Sequence, residues 1–294
     1  DHRDLHSFPT RRSSDLLFVT AQCNNRCVMC CQPPLSKPDL DFLFDKNIAL
    51  IDSAPPELIS IGITGGEPTL LGDRLLKLIG HIRSKLPQTE IHLLTNGRKF
   101  SDREFTRRLA DCGTDKLLLG IPIHSDCVQD HDTITQIQGS FNETMRGLYN
   151  LARFDFGIEL RVVLTKLNYQ RLPFLPNFIY RNLPFVQYIS LMGLEYTGYT
   201  IKNRTQVWIE PVDYQKELES AVIGLSQWKK DVSIFNLQHC LLNQSLWSYA
   251  KRSISDWKNI YAPCCHECAV KEMCCGLFGT SKYQSINIKP VQTI

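Results

Sequence analysis

Cys23-Asn24-Asn25-Arg26-Cys27-Val28-Met29-Cys30, entered from the apolar run Leu16-Leu17-Phe18-Val19-Thr20, is the stretch on which the reading of the chain turns. Three thiolates at CxxxCxxC spacing can reach three corners of one cuboidal iron–sulfur cluster, because a short loop can point all three sulfurs inward. The fourth iron is then left without a protein ligand. A ferredoxin-type electron carrier would supply a fourth Cys nearby, whereas an open iron invites a chelating small molecule. The competing assignment is a structural zinc site, or half of one. Zinc takes four closed ligands, and the neighbouring Cys31 is adjacent to Cys30 and poorly placed to join.

Working outward, the N-terminal sixteen residues stand apart. Asp1 to Leu16 has no apolar period and no targeting pattern, and it matches a translation of the universal adapter oligonucleotide of short-read sequencing libraries. Residues 1–16 are therefore expected to be foreign to the protein, and its own N-terminus to be missing. Removing them takes three basic and three acidic residues, so the net charge of +3 stands. That balance offers no case for nucleic-acid binding. No run approaches the eighteen or so apolar residues of a membrane span. Twelve cysteines in clustered spacings suit metal or cluster ligation in a reducing cytoplasm better than a disulfide scaffold.

Apolar periodicity then predicts alternating elements. Strands are expected at 16–20, 58–64, 91–95, 116–123, 158–165 and 187–194, with helices at 41–54, 70–86, 102–112, 141–153 and 174–181. On the strand at 58–64, Ile59, Ile61 and Ile63 share one face, and Ser60, Gly62 and Thr64 make a small opposite face that leaves room for a ligand. Six strand–helix units imply parallel pairing through right-handed crossovers and a partial (βα)6 TIM-type barrel, with its site at the C-terminal ends of the strands. This barrel is expected to occupy 17–205. From 206 to 294 the composition changes to a Cys-rich extension, with a helix at 211–228 and a short strand at 232–237.

Gly65-Gly66-Glu67-Pro68 follows the second strand. Together with the cysteine triplet it resembles the radical S-adenosylmethionine (SAM) superfamily. The resemblance implies a 4Fe–4S cluster on Cys23, Cys27 and Cys30 whose open iron holds the amino and carboxylate groups of SAM. It also implies one-electron reduction of the cluster, transfer into the sulfonium, and homolysis to methionine and a 5′-deoxyadenosyl radical that takes hydrogen from substrate. In that frame the two glycines let backbone approach the ligand, and Glu67 and exposed peptide groups can accept from the SAM ammonium. Arg161, facing into the barrel, needs an anionic partner, either the SAM carboxylate or a protein acid such as Glu159. Ser125 and His124 are candidates for the SAM ribose or carboxylate, or simply turn residues. Glu195 is placed either in the substrate cavity or in a solvated loop. Cys112 reads as core, and Cys127 is left unassigned.

Near the C-terminus, Cys265, Cys268 and Cys274 follow a Cx2Cx5C pattern, and Cys240 makes a fourth ligand. The spacing resembles the auxiliary-cluster extension of radical SAM peptide-modifying enzymes. Only the start of that longer pattern is present, because a Cys four places after Cys274 would fall at Phe278. A tetrahedral zinc site is the alternative. Cys264 and Cys275 are spare thiols under either assignment.

Taken with Cys31-Gln32-Pro33-Pro34, GGEPTL at 65–70, Ile254-Ser255-Asp256-Trp257-Lys258-Asn259 and the terminal Cys275-Gly276, the chain resembles the radical SAM maturases encoded with His-Xaa-Ser repeat peptides, the HxsC branch. That implies a peptide substrate, a reductant such as flavodoxin or ferredoxin, and partner maturation proteins. Two other functions remain open: a radical SAM enzyme acting on a small metabolite, and a zinc-stabilised binding protein without catalysis.

Overall fold

The computed structural model describes residues 14–36, 40–252, 260–281 and 283–292. The segment at 254–259 lies outside these described residues, as does most of the N-terminal segment set aside above.

Strand and helix alternate: β1 Ser14–Phe18, α1 Leu40–Asp52, β2 Ser60–Thr64, α2 Asp73–Lys85, β3 Glu90–Leu94, α3 Arg103–Asp111, β4 Leu117–Pro122, α4 Val128–Thr135, α5 Ser140–Ala152, β5 Gly157–Val163, α6 Leu175–Asn182, β6 Tyr188–Met192, α7 Tyr199–Lys202, α8 Arg204–Val207, α9 Gln215–Gln227 and β7 Asp231–Phe235. The strands form one seven-stranded sheet whose neighbours run in chain order. β1–β2, β2–β3, β3–β4 and β6–β7 pair in parallel, which requires a crossover between each pair of strands.

Two details differ from the sequence reading. The sheet has seven strands rather than six, because Asp231–Phe235 continues it alongside β6. In addition, β1 starts at Ser14, so the last residues of the segment expected to be foreign pair with β2, Ser14 opposite Ser60 and Leu16 opposite Gly62. Strand pairing runs through backbone groups that any non-proline residue carries, so a sheet edge accepts such residues.

Two compact units make up the chain: Asp1–Arg26 with Pro33–Pro122 and Gly139–Glu159, and Cys27–Gln32 with Ile123–Gln138 and Leu160–Ile294. Residues on both sides of position 205 fall in the second.

In the first unit, Ile61, Ile63, Ile91, Leu93, Leu117 and Leu119 on the strands and Leu75, Leu78, Ile79 and Ile82 on α2 are all buried. Each such side chain is worth about 1.5–3 kcal/mol of transfer free energy. Ser60, Gly62 and Thr64 are only half-buried, as expected of a small, open strand face. Ile59 departs from the expected pattern at 62% exposed, because the strand begins one residue after it. The buried Asn47 of α1 donates to the carbonyls of Phe18 at 2.9 Å and Leu43 at 2.7 Å, tying the helix to the end of β1 just before the cysteine loop. Asp102 caps α3 by accepting from the N–H groups of Glu104 and Phe105, a device worth about 1 kcal/mol.

In the second unit, Leu160 and Val162 on β5, Ile189 and Leu191 on β6, and Val232 and Ile234 on β7 are buried, as are Leu218, Ala221, Val222 and Leu225 on α9. The helix α4 at 128–135 and the four-residue helices α7 and α8 are not among the expected elements; α7 and α8 are too short to show a repeating apolar face.

Candidate active site

The Gly65-Gly66-Glu67-Pro68 segment has a structural cause for each residue. A Cβ on Gly65 would lie 2.4 Å from the carbonyl oxygen of Thr20, and one on Gly66 would lie 2.0 Å from that of Gln22. The glycines thus let this backbone run against the backbone leading into the cysteine loop, and Gly66 N–H donates to Thr20 O and Glu67 N–H to Gln22 O, both at 2.7 Å. Glu67 caps the 3-10 turn Pro68–Leu71, with Pro68 at its first position, where a missing N–H costs nothing.

The Glu67 carboxylate is fully buried and accepts from four donors. These are Thr69 N–H at 3.0 Å, the Thr69 hydroxyl at 2.7 Å, the Thr95 hydroxyl at 2.6 Å and Asn96 N–H at 2.6 Å. Burial pushes its pKa up, opposed by those hydrogen bonds. It joins the end of β2 to the end of β3.

The first half of the cysteine loop is held from the same strand end. Asn96 Nδ2 donates to Asn24 Oδ1 at 2.6 Å, and Arg98 Nη1 donates to both Asn24 O and Asn25 Oδ1 at 2.8 Å. Glu143 fixes Arg98 through its Nε at 2.6 Å. Asn25 N–H in turn points at Cys23 Sγ, 3.3 Å away. Burial raises the pKa of the Cys23 thiol. The strand expected at 91–95 stops just short of this clamp, which carries no signal in the local sequence.

The second half belongs to the other unit. Val28 N–H donates to Ile134 O at 2.9 Å, Asn203 Nδ2 to Val28 O at 2.8 Å, the Thr200 hydroxyl to Met29 O at 3.3 Å, and Tyr199 N–H to Cys30 O at 2.8 Å. Val28 and Met29 are buried with Ile134 and Val207, and Cys27, Val163, Leu167 and Leu194 pack on them. Gly198, at φ 57°, comes so close to this loop that a Cβ would stand 2.3 Å from Cys30 O. Helices α4, α7 and α8, absent from the sequence reading, are the elements that hold the loop here.

Other candidates lie at the strand ends of the second unit. Ser125 is buried, accepts from Cys127 N–H at 3.1 Å and approaches Asp130 Oδ2 at 3.4 Å. His124 and His131 are a buried ring pair with centroids 5.6 Å apart. His124 N–H donates to His131 Nδ1 at 3.2 Å, and Asn168 holds the His124 carbonyl at 2.7 Å. Burial drives both imidazoles down, to about 3 for His124, where His131 adds to the effect, and to about 4 for His131. Both are neutral at physiological pH. Arg161 Nη2 lies 3.3 Å from Met192 Sδ. In the first unit, Glu159 sits 2.8 Å from His92. Glu195 lines a cavity of about 40 Å³ together with Leu164, Leu194, Trp208, Asn236 and Tyr283.

The cysteines of the extension are brought together. Cys240, Cys265, Cys268 and Cys274 all line one cavity of about 20 Å³, with Tyr261 and Leu277. Val291 N–H points at Cys268 Sγ at 3.3 Å and Gly276 N–H at Cys274 Sγ at 3.5 Å. Cys264 is exposed and Cys275 buried, and neither lines this cavity. Cys112 and Cys127 are half-buried, with Cys127 Sγ 3.1 Å from Gln129 Oε1. None of the twelve cysteines is in a disulfide. Among the described residues no three His, Cys, Asp or Glu side chains converge as ligands of a single ion.

The sequence model of the Radical SAM superfamily matches residues 17–173. The chain belongs to that superfamily. Two curated relatives are similar to this radical SAM chain: the Fe-coproporphyrin III synthase of Methanosarcina barkeri, 29% identical over 53% of this chain and 38% of that protein, and the tungsten-containing aldehyde ferredoxin oxidoreductase cofactor-modifying protein of Pyrococcus furiosus, 28% identical over 55% and 47%. The chain spans less than half the length of either. Among solved structures, Streptococcus suis SuiB bound to S-adenosylmethionine superposes with a TM-score of 0.61 at 15% identity, over 86% of this chain and 56% of that one. Native anSMEcpe with bound AdoMet and Cp18Cys peptide gives 0.56 at 19% identity, over 75% and 62%. These likenesses are of fold, the parallel TIM-type partial barrel of radical SAM proteins.

The superfamily implies a 4Fe–4S cluster and SAM, and the residues present fit them. Cys23, Cys27 and Cys30 are all half-buried, and none is in a disulfide. An N–H is already directed at Cys23 sulfur, the kind of hydrogen bond that tunes cluster thiolates.

Proposed function

We propose that this chain is a radical SAM enzyme that holds a 4Fe–4S cluster on Cys23, Cys27 and Cys30, binds SAM beside it, and modifies a peptide substrate. The observation that carries the reading is the cysteine loop, whose two halves are fixed by separate hydrogen-bond sets on the residues between the thiols. When bound, the cluster and SAM supply one-electron cleavage of a carbon–sulfur bond and with it a hydrogen-abstracting radical. The chain's own part is positional. Gly65 and Gly66 bring peptide groups to the loop, Asn96 and Arg98 hold Asn24 and Asn25, and Ser125 and Arg161 are proposed SAM contacts, Arg161 through its carboxylate. Glu67 is proposed to support this site by holding the strand ends, rather than by offering its carboxylate.

A second iron–sulfur centre on Cys240, Cys265, Cys268 and Cys274 is part of the proposal. The cavity that all four line supports a shared metal centre, with a tetrahedral zinc ion as the alternative occupant.

The peptide reading is supported by the likeness to SuiB, which has been solved bound to precursor peptide SuiA, and to anSMEcpe with its bound peptide. A His-Xaa-Ser repeat peptide is the proposed substrate on the motif resemblance, in a reducing cytoplasm with flavodoxin or ferredoxin as reductant and partner maturation proteins. Small-molecule chemistry is the second reading, favoured by the relative named for iron coproporphyrin. The test is the full-length enzyme with its partners, given the candidate precursor peptide, SAM and reductant. A mass change in the peptide that needs SAM and Cys27 supports the maturase. Unchanged peptide alongside turnover of a metabolite rejects it and leaves the radical SAM assignment in place.

A further inference from the structure

We propose that Tyr196 and Tyr283, backed by the edge-on Trp208, form a cage for the cationic side chain of a bound polypeptide, a place taken in this structure by the chain's own Arg204. The three rings meet at steep angles. Tyr196 and Trp208 have centroids 5.6 Å apart at 85°, Trp208 and Tyr283 5.3 Å at 90°, and Tyr196 and Tyr283 5.2 Å at 52°. The Arg204 guanidinium lies 4.2 Å from the Tyr283 centroid and 5.7 Å from that of Tyr196. Electron-rich ring faces attract a cation, and a guanidinium that can also stack is the preferred guest.

Three features separate this arrangement from chance packing. Arg204 is exposed and sits on a one-turn helix, and among the described residues no carboxylate pairs with it, so no salt bridge breaks when it leaves. The cage is braced, because the Trp208 indole N–H donates to Glu210 Oε1 at 3.0 Å while Glu210 Oε2 accepts from the Ser285 hydroxyl at 2.5 Å, holding the segment that carries Tyr283. Trp208 and Tyr283 also line the 40 Å³ cavity that holds Glu195. Carboxylates at Glu195 and Glu210 make the surroundings favourable to a cation and hostile to an anion. The inference rests on the peptide reading only for the cation's carrier.

The test is a binding titration that involves no turnover, so its failure and that of the radical SAM reading are separable. The full chain and its Arg204→Gln variant are titrated with Nα-acetylarginine methylamide, with the neutral isostere Nα-acetylcitrulline methylamide, and with free arginine, following the Trp208 indole N–H by NMR. The blocked arginine should bind the variant roughly tenfold or more tighter than the parent, with a shift at Trp208, and the citrulline probe should bind neither. Adding Tyr283→Leu should remove the binding. Equal affinity for parent and variant, equal affinity for the citrulline probe, or no shift at Trp208 would reduce the cage to an internal brace. Tighter binding of free arginine than of the blocked probe would assign the site to an amino acid and overturn the polypeptide claim.

Discussion

Gly66 and Gln22 meet backbone to backbone: a Cβ built on Gly66 would stand 2.0 Å from the Gln22 carbonyl oxygen, an oxygen that already accepts from Glu67 N–H at 2.7 Å. No side chain fits there without moving the approach to the cysteine loop. Gly66→Ala is expected to cost more than about 2 kcal/mol of stability in denaturant unfolding and to lower iron uptake on anaerobic reconstitution. Gly80→Ala is the control. It lies in α2 with nothing within 4 Å of a built Cβ, and it should be neutral or stabilising by up to about 1 kcal/mol.

Arg98 should control the shape of the loop rather than its ligand count. Its guanidinium spans Asn24 O, Asn25 Oδ1 and Glu143, and lysine cannot reproduce that fork. Arg98→Lys is expected to retain most of the fold while losing cluster iron, with Glu143→Gln showing a milder loss. Circular dichroism and iron content measured on the same samples separate the two effects. Iron equal to the parent's in Arg98→Lys would remove the clamp from the account.

The buried histidine pair sets an acid limit. His124 and His131 have folded pKa values of about 3 and about 4, depressed from 6.5 by burial. The unfolded chain therefore binds protons that the folded chain refuses. Their contribution is complete above about pH 6.5 and is lost as pH falls toward 4 and then 3, at up to about 1.4 kcal/mol per pH unit for each group. His131→Asn, which keeps an acceptor for His124 N–H, should flatten the stability loss between pH 6 and 4.5 relative to the parent. Identical slopes in urea unfolding would contradict this.

The parallel sheet and the cysteine loop were legible because apolar periodicity and CxxxCxxC spacing are local signals. What escaped depended on residues far apart in the chain. The hold of Asn96 and Arg98 on Asn24 and Asn25 crosses more than seventy positions, and that of Asn203 on Val28 crosses 175. Glu67 is held by a network that its motif does not display. Its four donors arrive from the neighbouring turn and from β3, which spacing cannot reveal. The seventh strand is expected as a strand at 232–237 but placed in the extension, since nothing in five residues says which sheet edge they join.

The second cysteine site can be separated from the first by composition. A variant with Cys23, Cys27 and Cys30 all replaced by Ala should keep cluster iron and sulfide on Cys240, Cys265, Cys268 and Cys274, and further replacement of Cys268 should remove them. Retained zinc in place of iron would make that site structural, and no bound metal would delete it.

SAM cleavage is tested on the anaerobically reconstituted protein, incubated with SAM and a strong one-electron reductant and analysed for 5′-deoxyadenosine. The account predicts a brown protein with broad absorbance near roughly 400 nm, as thiolate-ligated clusters show, and 5′-deoxyadenosine that disappears in Cys27→Ala. Colourless protein carrying stoichiometric zinc and forming no 5′-deoxyadenosine would contradict it.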